Sequence, residues 1–184
     1  MFNTGAPQFG LRKSKIGTWA GGGVYTNITR VPSVQVLGTA IQTVTAQLEG
    51  DDQITATAAT AISGTVTLRF GSVDPRIISV IAGSDNTSSG GIGTLKVTAK
   101  NFPYIGIVGQ ARAAEGAGDS VLFIPKAKCT DGFEVRFEYG QFSIPEITLM
   151  SVPDSNFLDT AGDPVLFSML SHTTATTDIT LPPV

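Results

Sequence analysis

Residues 33–83 read SVQVLGTAIQTVTAQLEGDDQITATAATAISGTVTLRFGSVDPRIISVIAG, and this stretch decides the fold. Three runs alternate with a period of two. Val44, Ala46 and Leu48 fall on one face with Thr43, Thr45 and Gln47 on the other; Ile54, Ala56 and Ala58 oppose Thr55, Thr57 and Ala59; Val66, Leu68 and Phe70 oppose Thr65, Thr67 and Arg69. Alternation rich in Thr and Val predicts half-buried antiparallel strands, because β-branched side chains suit a pleated surface. Each strand is expected to have one dry and one wet or interfacial face, and Glu49-Gly50-Asp51-Asp52 reads as the turn between the first two.

A short helix follows, signalled by its ends. Asp74 is an N-cap residue type, Pro75 suits the first helical position where no N–H is needed, and Gly83 suits the left-handed residue past the end. Ile77, Ile78 and Ile81 share a side, so a helix near 75–82 is expected to cover a sheet, with Arg76 and Ser79 outward.

Leu48-Glu49-Gly50-Asp51-Asp52, the strand pair closing on Arg69-Phe70-Gly71, and the helix at 74–82 together resemble the major tail tube proteins of long-tailed, non-contractile bacteriophages (siphoviruses). Downstream, Phe133-Glu134-Val135-Arg136-Phe137-Glu138-Tyr139, Phe142, Pro145-Glu146-Ile147 and Val152-Pro153-Asp154 extend the similarity, which spans roughly residues 17–169. The segments 84–93 and 113–118 have no counterpart in that pattern. The resemblance implies a structural virion protein, not an enzyme, that forms hexameric rings joined through their inner sheets into a β-barrel. Stacked rings would form the tail tube, the conduit for DNA ejection through the host cell envelope. Implied partners are further copies of the chain, a tape-measure protein, tail terminator and distal tail or tip proteins, and double-stranded DNA that passes without specific binding. The implied location is the virion tail, assembled in the bacterial host cytoplasm.

Beyond the helix the strand pattern resumes. Leu95, Val97 and Ala99 alternate with Lys96 and Thr98; residues 104–110 and 121–129 read as a pair; Phe133, Val135, Phe137 and Tyr139 against Glu134, Arg136 and Glu138 make the clearest amphipathic strand. Pro145 cannot donate to a ladder, so the apolar phase slip between Ile144 and Ile147 reads as a bulge or edge. Val165, Phe167 and Met169 give a last strand. Many short strands and one helix predict a mainly β fold, a two-sheet sandwich or rolled sheet with the helix on its flank.

At 184 residues the chain fits one domain, large enough to bury about 70% of its unfolded surface. Hydrophobic residues make up 41% and charged ones only 15%, a composition suited to a surface covered in part by neighbours. No run approaches the ~20 apolar residues of a membrane span, and residues 1–15 lack the apolar stretch of a secretory signal. Cys129 is the only cysteine, which rules out an intrachain disulfide and reads as a small buried or interfacial residue.

The ends differ from the body. Residues 1–30 carry Arg12, Lys13, Lys15 and Arg30 and no acid, and are expected to form an extended basic arm that docks on an acidic neighbour, with Gly21-Gly22-Gly23 as its hinge. Residues 31–170 would be the β-sandwich domain, and 171–184, ending Leu181-Pro182-Pro183, an extended tail ordered by a partner chain.

Catalytic patterns are missing from the sequence: His172 is the sole histidine, and there is no Ser/His/Asp set, zinc spacing or phosphate loop, so no cofactor is expected. Glu49, Asp51 and Asp52 have the oxygen ligands of a cation site but are better explained as turn residues, as are Asp154, Asp159 and Asp163. Inter-subunit contacts are expected at Arg12, Lys13, Lys15, Glu49, Asp51 and Asp52. A lumen that neutralised phosphates in every ring would grip DNA, so its lining is expected to be neutral or acidic: Thr43, Thr45, Gln47, Thr55, Thr57, Glu134 and Glu138. The competing readings are a tube subunit of a contractile tail or secretion apparatus, and a monomeric sugar-binding or capsid-decoration module. The last normally wants exposed aromatic platforms, and Trp19 is the only tryptophan.

Overall fold

The alternating runs pair into one large antiparallel sheet. The computed structural model describes residues 8–50, 53–89, 92–98, 100–113, 118–135, 139, 145–172 and 178–183. In chain order the elements are β1 (Gln8–Gly21), β2 (Val24–Arg30), β3 (Val34–Gly50), β4 (Gln53–Phe70), α1 (Pro75–Ala82), β5 (Asp85–Ser89), β6 (Ile92–Lys96), β7 (Ile105–Ala113), β8 (Asp119–Lys128), β9 (Glu146–Ser151), β10 (Asp154–Leu158), β11 (Pro164–Val165) and β12 (Ser168–Ser171). The main sheet runs β2-β1-β7-β8-β9-β4-β3, with β12 also paired to β8; β5-β6 and β10-β11 form two small sheets. The fold is therefore mainly β with one short helix, built on one eight-stranded sheet with two minor ones.

Successive residues of one strand serve opposite faces. Ile107 belongs to the larger core, with Ile16, Leu68, Ile124 and Leu149 from neighbouring strands and Ile77 and Ile81 from α1. Val108, one residue on, belongs to a second core with Tyr25, Val121 and Phe123. Each fully buried aliphatic side chain contributes about 1.5–3 kcal/mol relative to exposure. The sheet curls toward the larger core: β3 touches β1, five places away in strand order, and Leu37 of β3 lies over Gly109 of β7.

The helix ends follow the sequence signals. Asp74 has an extended backbone (φ −107°) and its carboxylate accepts the Arg76 N–H at 2.9 Å; Gly83 is left-handed (φ 62°), and its N–H donates to the Ser79 carbonyl. Ile77, Ile78, Val80 and Ile81 are buried, and Arg76 is outside.

Several expectations are corrected. Residues 8–30 are no arm: β1 lies between β2 and β7, and Ile16 is fully buried. Gly21-Gly22-Gly23 is the turn of the β1–β2 hairpin, all three with positive φ, rather than a hinge. In the tail, Ile179 and Leu181 are buried in the second core of their own chain, so residues 178–183 need no partner to be placed. Residues 133–135 form no strand; Phe133 packs on the larger core beside Phe102, and 136–138 lie outside the described residues. The second and third runs are one continuous strand, β4, and the unplaced segment after the helix forms the β5–β6 hairpin. The last strand is split into β11 and β12 because Leu166 and Phe167 interrupt the pairing.

A candidate assembly interface

β9 pairs with β4 only over Gly64–Arg69. Past that point β3 and β4 continue as a two-stranded ribbon to the register pair Gly50–Gln53, and neither has another pairing partner among the described residues. At about 3.3 Å per residue the free portion of β4 runs roughly 35 Å. A two-stranded ribbon in water is marginal without something to pack on.

Its faces are set by the register of β3 and by one irregularity in β4. Leu37, Thr39 and Ile41 pair with Leu68, Val66 and Gly64, which puts odd-numbered positions of β3 on the side of the larger core. On β4 an extra residue, Ile62, lies between the partners of Gln42 and Thr43. Such a bulge reverses the phase of the strand that carries it. Beyond it Thr43, Thr45 and Gln47 stand opposite Ala61, Ala59 and Thr57, and Val44, Ala46 and Leu48 opposite Thr60, Ala58 and Ala56.

The expected dry face is thus the continuation of the sheet's convex side, away from the core, and no strand among the described residues pairs over it. On that side Val44 is 54% exposed and Val36 42%; the bulge residue Ile62 is 51% exposed, and Ile41, beyond the end of the core on the other face, 53%. Thr43 and Thr45 are also exposed, so both ribbon faces are open.

The remaining expected contact residues separate. Lys15 and Lys13 reach Asp178 at 3.1 and 3.9 Å, binding the C-terminal segment to β1 and holding the Asp178 carboxyl below its ordinary value, chiefly through the Lys15 hydrogen bond. Those two lysines therefore act within the chain, whereas Arg12 is exposed. Glu134 is exposed and far in sequence from the ribbon threonines; Glu49 and Thr55 are placed only by their strand positions, and Asp51, Asp52 and Glu138 lie outside the described residues.

The other titratable groups have structural work. Asp159 accepts N–H bonds from Asp163 and Ala161, which keep its carboxyl low, as expected of a loop residue. Buried Asp154 accepts from Trp19 Nε1 and Asn156. Burial pushes the Cys129 thiol up, and its Sγ donates to the Gly132 carbonyl. Burial likewise raises Tyr25, whose hydroxyl donates to the Pro125 carbonyl at 2.8 Å. Among the described residues no cluster of His, Cys, Asp and Glu has metal-binding geometry. An open cleft of about 720 Å³ between β2, α1 and β5 is lined by Asn27, Thr29, Arg76, Ser84 and Asp85 among others, with no aromatic ring.

Sequence reasoning missed one cluster. Lys126 and Lys128 on β8 reach over the rings of Trp19 and Tyr104. Their i, i+2 spacing on a strand was the available signal.

No protein-family model matches the chain, and no curated protein is significantly similar to it.

Proposed function

We propose that this chain is a self-assembling structural protein, the subunit of a tail tube of the kind built by long-tailed, non-contractile bacteriophages. The observation that carries the reading is the β3–β4 ribbon, which leaves the sheet with Val44, Ile62 and Ile41 half exposed and no further strand partner among the described residues. Covering each such side chain is worth about 1 kcal/mol, and ring formation repeats that gain in every subunit. The sheet also ends in two unpaired edges, β2 and β3. Joining sheets between chains removes such edges, and a heterologous contact repeated around a ring closes on itself. The order of motifs along the sequence supplies the link to tail tubes in particular. On this reading rings stack into a DNA conduit, with a tape-measure protein inside during assembly and terminator and distal tail proteins at the ends.

Electron microscopy of the purified chain, with sedimentation velocity at rising concentration, tests the reading. Rings or tubes with a central bore are expected. A monodisperse monomer at millimolar concentration overturns it and favours a monomeric module.

A further inference from the structure

Four side chains at one end of the sheet form a basic aromatic cleft. Lys126 Nζ lies 4.3 Å from the centroid of the Trp19 ring and 4.6 Å from that of Tyr104, and Lys128 Nζ lies 5.4 Å from Tyr104. The two rings meet edge-on at 6.1 Å. Ala127 between the lysines is buried in the larger core, so strand alternation sends both ammonium groups to the opposite face, where Trp19 packs on the second core. Among the described residues neither ammonium has a carboxylate within ion-pair distance. The nearby Asp154 is committed: Oδ2 accepts from Trp19 Nε1 at 2.9 Å, and Oδ1 from the backbone and side chain of Asn156 at 3.0 and 2.7 Å. Among the described residues, two cations thus share one aromatic wall with no carboxylate within ion-pair distance.

The topology sets this cleft against the acidic turn. A continuous register row crosses the sheet through Thr18, Ile105, Ala127, Ser151, Gly64 and Ile41. From that row the ribbon runs one way, toward Gly50 and Gln53, while Trp19, Tyr104 and Lys128 lie on the other side of it. The strand ends at Gly50 and Gln53 and the residues Trp19, Tyr104 and Lys128 therefore lie on opposite sides of this row, so a contact between them in two copies would join different surfaces and be heterologous.

We propose that the cleft of Trp19, Tyr104, Lys126 and Lys128 docks the acidic turn Glu49-Gly50-Asp51-Asp52 of a second copy of this chain. The proposal rests on the self-assembly reading and names the contact that stacks one copy on the next. Charge complementarity selects the occupant: three carboxylates in four residues meet two ammonium groups that have no carboxylate within ion-pair distance among the described residues. A nucleic-acid strand fits less well, since stacking a base needs a free aromatic face and the Lys126 ammonium already lies over both rings.

The test is charge reversal read by tube yield in negative-stain micrographs and pelleting, with melting curves for every variant. Lys128→Glu, whose ammonium is the farther from a ring, and the pair Asp51→Lys with Asp52→Lys are each expected to lower tube yield about tenfold while leaving the melting temperature in place. Lys128→Gln replaces Lys128→Glu if the latter unfolds, and is expected to lower yield in the same direction. All reversals combined in one chain are expected to restore tubes. Wild-type tubes with no loss in either the lysine or the aspartate variant, loss in the lysine variant alone, or no restoration in the combined chain each overturn the docking. A wild-type chain that never assembles overturns the self-assembly reading instead.

Discussion

Leu37 of β3 lies over Gly109 of β7 so closely that a Cβ at position 109 would overlap its Cδ2 methyl and come within 3.3 Å of Leu11. These residues belong to strands that are not neighbours in the sheet, so their contact holds the curl. Gly109→Ala is expected to cost about 1–3 kcal/mol, the usual range for overpacking a filled site. Leu37→Ala alone should also destabilise by opening a gap, yet the double variant should be more stable than the sum predicts. A thermal-melt double-mutant cycle measures this, and strict additivity would show that the two side chains do not meet in solution.

The caps of α1 give a second prediction. Asp74→Ala should cost about 1 kcal/mol through the lost N-cap. Gly83→Ala should cost about 1–2 kcal/mol, because a left-handed residue with a Cβ is disfavoured and this Cβ would come 2.9 Å from Pro103 Cδ. The hydrogen bond from Arg76 holds the Asp74 carboxyl below 3.8. A folded-state value below the unfolded one means that the stabilisation is complete above 3.8 and disappears as pH falls through the lower folded value. Asp74→Asn should therefore flatten the acid limb of a melting-temperature profile, and an unchanged limb would place the linkage elsewhere.

What the sequence made legible was local. Asp74, Pro75 and Gly83 act within one helix, and the β7–β8 pair lies close along the chain, so both could be read from residue type. Long-range facts could not. Three consecutive glycines look alike as a hinge or as a hairpin turn; what distinguishes them is that β1 finds β7 about ninety residues away, as in the Ser14 Oγ bond to the Val108 carbonyl. Phe133, Val135 and Phe137 alternate like a strand in the sequence, yet residues 133–135 pair with no strand among the described residues, and Phe133 goes to the core instead. At the ribbon, alternation identified two faces but not their assignment, because the single extra residue Ile62 decides which one continues the core. The Lys126–Trp19 cleft joins three separate segments; the i, i+2 spacing of the lysines hints at one of them but not at the rings they reach.

The placement of β1 reverses an expectation about truncation. Removing residues 1–15 takes away most of the strand's pairing with β7, including Ser14, along with the two lysines that bind Asp178. Loss of cooperative unfolding is expected by circular dichroism and calorimetry. A truncated chain that melts as wild type would return these residues to the role of a detachable arm.

The ribbon should be dispensable for folding and essential for assembly. Ile41, Val44 and Ile62 are half exposed in the isolated subunit, so replacing all three by Thr, which keeps β-branching, should change stability by less than about 0.5 kcal/mol each. If neighbours cover these side chains, the triple variant should remain monomeric at concentrations where the wild type forms rings or tubes. Rings of normal size from this variant would mean that the contact lies elsewhere on the sheet.

The ribbon's other face carries a prediction about DNA. Thr43 and Thr45 are exposed and stand opposite Ala61 and Ala59, and Gln47 opposite Thr57, so this face is uncharged from Thr43 to Gln47, with the acidic Glu49 next on the same face of β3. If it lines the bore, the tube offers phosphates no counter-charge and the duplex slides. Thr45→Lys with Thr57→Lys would put two cations per subunit on that lining, and each neutralised phosphate steepens the fall of log K against log salt by about 0.9. The variant tubes should still assemble, yet retain short duplex DNA at low salt and release it near physiological ionic strength, where charges beyond about 8 Å are screened. Phage particles carrying the substitutions should eject more slowly in dilute buffer. Equal DNA retention by wild-type and lysine-bearing tubes across that salt range would assign these threonines to a contact between subunits and leave the bore to another face.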